Sequence, residues 1–108
     1  MHSFPSDVTD TDRRRAAAIA GARAAVERLQ SLGVSVLVAG SLAKGTFRRY
    51  SDVDFLVTSC PRDLKYAIEG IVEDCLGGIP FDVVYLDEIP AWKVASFTGG
   101  AKDVRDIG

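Results

Sequence analysis

Three short β-branched runs, at 34–39, 52–58 and 81–86, constrain this chain most, because strands so short must share a sheet to be buried. The first, Val34-Ser35-Val36-Leu37-Val38-Ala39, is bounded by Gly33 and Gly40. The second opens Asp52-Val53-Asp54 and continues Phe55-Leu56-Val57-Thr58; the third is Phe81-Asp82-Val83-Val84-Tyr85-Leu86. Ahead of them, Ile19, Ala22, Val26 and Leu29 recur with the period of about 3.6 residues that marks a helix. The acidic stretch 7–12 offers N-cap candidates and Gly33 a C-terminal stop. Pro61 predicts the start of a second helix with an apolar face of Leu64, Ile68, Ile71 and Cys75, ended by Gly77-Gly78. After Pro90, 91–97 reads as a short helix with Trp92 and Phe97 packed down, and 99–108 as a polar tail.

This order predicts an α/β (α+β) fold: a small three- to four-stranded mixed sheet with helices packed on one face. At 108 residues the chain is expected to be one domain, 1–108, with its core at about 10–90. A composition of 47% hydrophobic and 26% charged residues is that of a globular core, which excludes a disordered tail or a coiled coil. No apolar run approaches the ~18 residues of a membrane span, and the first residues lack a signal-peptide pattern. The expected setting is cytoplasmic, with Cys60 and Cys75 reduced and without chemistry. A net charge of −2 argues against a duplex-binding surface, and no direct nucleic-acid partner is expected. The charge is nonetheless divided, with the basic residues concentrated in 1–50 and the acidic ones in 51–108. His2 is expected to be solvated, Arg13-Arg14-Arg15 to be a solvated helix start, and Tyr50 and Tyr66 to pack.

Acids inside strands are the anomaly. Asp is depleted in strands, and an unpaired buried carboxylate costs several kcal/mol or takes up a proton. Yet Asp52 and Asp54 open an apolar strand, at a spacing that points both side chains to one face, and Asp82 repeats the pattern in the third run. Three carboxylates on neighbouring strands make an oxygen-ligand set for a hard divalent cation, and Mg2+ fits best. Upstream, Gly40-Ser41 follows directly on a strand, where a small residue lets backbone approach a ligand and turn N–H groups with a hydroxyl can hold phosphate oxygens. Lys44, Arg48 and Arg49 add positive charge to that loop.

Gly40-Ser41, ten intervening residues and Asp52-Val53-Asp54 together resemble the signature of the DNA polymerase beta-like nucleotidyltransferases. The longer stretch from Gly40-Ser41-Leu42-Ala43-Lys44-Gly45 to Ser51-Asp52-Val53-Asp54-Phe55 is similar to the minimal nucleotidyltransferases, antitoxin-type partners of HEPN proteins. Lys44 departs from the pattern, which usually has Arg there, so a bidentate phosphate contact becomes a point charge.

The resemblance implies the polymerase beta-like fold and Mg2+-dependent transfer of a nucleoside monophosphate from a nucleoside triphosphate, ATP, to a hydroxyl. It implies that Asp52 and Asp54 hold the metal, that Asp82 completes a metal site, and that Gly40 and Ser41 sit on the triphosphate with Lys44 assisting. It also implies a HEPN-type toxin as partner, with a tyrosine as acceptor. Two other functions remain open at this point. One is a non-catalytic antitoxin that covers its partner, although binding alone has no need of clustered strand carboxylates. The other is a small-molecule (antibiotic) nucleotidyltransferase, which normally carries a further substrate domain.

Overall fold

The structure is a computed structural model that describes residues 6–47 and 51–107, with side chains from Asp12 onward. His2, Arg48, Arg49 and Tyr50 lie outside the described residues. Helix α1 (Ser6–Ser31) leads into β1 (Ser35–Ala39), a one-turn α2 (Gly40–Lys44), β2 (Val53–Ser59), α3 (Ile68–Leu76), β3 (Phe81–Tyr85) and a short α4 (Val94–Thr98). α1 begins at Ser6, so the acidic stretch expected to cap it forms its first turns instead. It stops as expected: Gly33, at φ 87°, donates its N–H to Gln30 O at 3.0 Å, and Val34 donates to Leu29 O at 2.9 Å. That pair of bonds is a Schellman stop, which needs the left-handed residue Gly supplies.

The sheet order is β1-β2-β3, antiparallel between β1 and β2 and parallel between β2 and β3, so the expected mixed sheet is present. A hairpin-like return suffices for the first pair; the parallel pair needs a crossover, and α3 supplies it. Strand alternation then sorts the side chains onto two faces. Val36 and Val38, Val53, Phe55 and Val57, and Phe81, Val83 and Tyr85 face α1 and α3 and join one core with Ala18, Ala22, Val26, Leu29, Ile68, Val72 and Leu76. α1 and α3 lie close because Gly21 has no side chain; a Cβ there would meet Cys75 O at 2.9 Å and Leu76 Cδ2 at 2.7 Å. The opposite face carries Ala39, Asp54, Leu56, Asp82 and Val84.

Four expectations need correction. The helix expected from Pro61 begins only at Ile68, after a 3-10 turn at Arg62–Leu64, and its buried positions are Ile68, Val72 and Leu76. The Tyr85 hydroxyl donates to Lys65 O at 2.7 Å, while Lys65 Nζ pairs with Glu88 and Asp87 of the turn after β3. These tertiary bonds hold the 62–67 segment outside a regular helix. Asp52 precedes β2 instead of opening it. Trp92 and Tyr66, expected to pack, are 78% and 94% exposed.

The polar tail is the fourth. Lys102 exchanges two backbone hydrogen bonds with Val38, each 2.8 Å, and Val104 and Ile107 are buried in the core. Arg23 reaches across from α1 to donate to Ile107 O at 2.8 Å. The polar residues of 99–108 alternate with two apolar ones placed three apart, and the 3-10 turn Val104–Asp106 brings both inward. No helix among the described residues is long and apolar enough to cross a membrane.

Candidate functional site

The site grows from the end of β1. Gly40 turns the chain at φ 68°, a conformation L side chains rarely adopt, and α2 follows until Gly45, also left-handed, ends it. The antiparallel register sets Ala39 opposite Asp54, and the parallel register sets Asp54 opposite Asp82. Directly paired residues in a parallel ladder share a face, so both carboxylates project from the side of the sheet that α1 and α3 leave open. Asp54 is half-buried; Asp82 and Asp52 are exposed. A Cβ on Gly40 would collide with Asp54 Oδ2 and lie 3.0 Å from Asp54 Cγ, so the missing side chain makes room for the carboxylate.

Burial, and then the negative charge of Asp82 and of Asp52, push the Asp54 carboxyl above its ordinary value of 3.8. All three causes disfavour the anion, and a nearby cation would reverse two of them. The donor set is all carboxylate oxygen, which fits a hard divalent ion and not a soft one. Among the described residues no three such side chains stand gathered as a finished ligand set.

Asp54 and Asp82 line a cavity of about 320 Å³ together with Gly40 and Lys44. Leu56, Val84 and Phe97 give it an apolar lining, and Ser96 and Gly100 line it from the C-terminal part of the chain. Four of the six expected site residues therefore meet in one place. Ser41 and Asp52 do not line this cavity: Ser41 sits half-buried in α2, its carbonyl accepting the Thr46 N–H at 2.9 Å, and Asp52 lies in the segment before β2. Ser96, Phe97 and Gly100 were invisible in the sequence as site residues. The only signal was the apolar pair Val104 and Ile107, which shows that the tail folds back over the domain.

Carboxylates paired across two strands beside a glycine turn, on a small mixed sheet, fit the fold of enzymes that transfer nucleotidyl groups. A family model for the nucleotidyltransferase domain matches residues 19–101, from the middle of α1 through the whole sheet to the start of the tail. The chain belongs to that family, within the polymerase beta-like superfamily, and is a transferase whose donor is a nucleoside triphosphate. None of the curated proteins compared with the chain matches it.

Proposed function

We propose that this protein is a magnesium-dependent nucleotidyltransferase of the minimal type, moving a nucleoside monophosphate from ATP to a hydroxyl on a HEPN-type toxin partner and so acting as an antitoxin. One observation carries the catalytic part: Asp54 and Asp82 are register partners on the open sheet face and line a cavity together with Gly40 and Lys44. The likeness of Gly40-Ser41 and Asp52-Val53-Asp54 to the minimal nucleotidyltransferases supports the choice of donor and partner.

In this reading Asp54 and Asp82, with Asp52 joining from the segment before β2, are the metal-holding residues. A divalent ion held there would neutralise charge developing on the phosphate oxygens and the attacking hydroxyl. The residues themselves act by position and charge. Gly40 leaves room at the strand end for the Asp54 carboxylate, and the Gly40-Ser41 turn is the part of the chain on which the triphosphate would sit. Lys44 sets a positive charge opposite the carboxylates in the same cavity. Leu56, Val84 and Phe97 give the cavity an apolar wall that limits water.

The test is incubation of the protein with labelled ATP, magnesium and its HEPN-type partner, followed by mass spectrometry of both chains. The expected result is a gain of one nucleotidyl group on the partner, abolished by Asp54→Asn. Neutralisation of the partner by Asp54→Asn with no mass gain would show that covering alone suffices. Transfer to a free aminoglycoside would point to small-molecule modification.

A further inference from the structure

A second, smaller cleft of about 160 Å³ shares Lys44 with the catalytic cavity. Its charged lining is Arg15 from α1, Lys44 from the last turn of α2, and Lys102 and Asp106 from the tail. Three cations thus face one cleft against a single carboxylate. Among the described residues, none of the three forms an ion pair or a side-chain hydrogen bond. Of the other described acids near in sequence, Asp12 stands one turn before Arg15 and lines a separate groove with it without forming an ion pair, and Asp103 is occupied by Arg105, with Nη2 at 2.9 Å and Nε at 3.1 Å.

Each cation is carried by a fixed piece of backbone. Arg15 stands one turn before the buried Ala18 and Ile19. Lys102 is tied to Val38 by its two 2.8 Å backbone bonds. The Lys44 stem passes over Gly100, where an added Cβ would lie 3.3 Å from Lys44 Cε. Three like charges against one carboxylate leave an excess of positive charge, and an anion placed among them turns their mutual repulsion into attraction.

The geometry points to an anion subsite, formed by Arg15, Lys44 and Lys102, that takes a phosphate or diphosphate group extending from the catalytic cavity through Lys44. Its use during transfer rests on the function proposed above; its affinity for the anion does not. Half the size of the catalytic cavity, it suits a phosphate tail better than a nucleoside. Such a tail has two sources: the donor's β- and γ-phosphates, which leave as pyrophosphate, or a phosphate carried by the acceptor.

Calorimetry of the full chain with inorganic pyrophosphate, in chelator, tests the subsite. The wild type should bind; the Arg15→Gln/Lys102→Gln variant should bind at least about tenfold more weakly with an unchanged melting temperature. Asp106→Asn should bind severalfold more tightly, a gain that misfolding cannot imitate. No binding by the wild type, or equal affinity in the double variant, overturns the proposal. In steady-state transfer, a raised KM for ATP in the double variant assigns the subsite to the donor, and a raised KM for the acceptor alone assigns it to an acceptor phosphate. Variant-sensitive pyrophosphate binding without any transfer would defeat the proposed function and leave the subsite standing.

Discussion

The Asp54 carboxylate lies over Gly40, in the volume that a side chain at position 40 would occupy. A left-handed glycine and a half-buried acid, fourteen positions apart in the chain, therefore depend on each other. Gly40→Ala should strain the backbone by roughly 1–2 kcal/mol, the usual cost of a left-handed L-residue, and push Asp54 off its position. The expected outcome is a lower melting temperature together with a loss of transfer larger than the unfolded fraction explains. Thermal melts and single-turnover rates on one preparation check it; an alanine variant with full activity would refute the dependence.

Asp54→Asn separates stability from catalysis. The Asp54 carboxyl is raised by burial and by Asp82 and Asp52, so the folded state holds its proton more tightly than the unfolded chain does. Folding stability from this group therefore falls as pH rises above the ordinary 3.8 toward the raised value, and the ionised group weakens the fold at neutral pH. Without metal, the Asn variant should melt at the same or a higher temperature at pH 7, with the difference vanishing below pH about 3. Transfer should drop at least about a hundredfold. Lower stability with undiminished transfer would remove Asp54 from the chemistry.

Asp103 should titrate in the opposite direction. It caps the turn Val104–Asp106 by accepting the Arg105 N–H at 2.9 Å, and the Arg105 side chain holds its carboxyl down to about 2. The stabilisation it gives the turn is fully present above the ordinary 3.8 and is lost as pH falls toward about 2. Carboxyl NMR titration should find this low value in the wild type and a return toward 3.8 in Arg105→Gln. An unchanged midpoint in that variant would show that the pair does not form in solution.

Ile107→Ala tests whether the tail belongs to the core. Ile107 is 4% exposed, and removing a buried Ile side chain costs about 2–5 kcal/mol when the surroundings cannot collapse. The variant should lose stability on that scale and lose hydrogen-exchange protection at Lys102 and Val38, whose amides pair with each other's carbonyls. A loss below about 0.5 kcal/mol, as for an ordinary surface change, would mean that the tail is not held there.

The sequence by itself determined the three strands, the long first helix with its Gly33 stop, and the presence of acids in the strand runs that follow a Gly-Ser turn. These are local signals: period, β-branching, glycine placement and the cost of carboxylates in apolar runs leave few alternatives over a handful of residues. Only the tertiary structure decided the register that sets Asp54 beside Asp82, since pairing between strands is chosen by the packing of the whole sheet face. It also decided that helix α3 waits until Ile68, because Lys65 is engaged by Tyr85, Asp87 and Glu88 from a later part of the chain. The tail that supplies Gly100 and Lys102 to the two cavities had no legible role, because two apolar residues among charges become a core contact only when Val38 offers an open edge, and nothing local marked Ser96 and Phe97 of α4 as cavity residues.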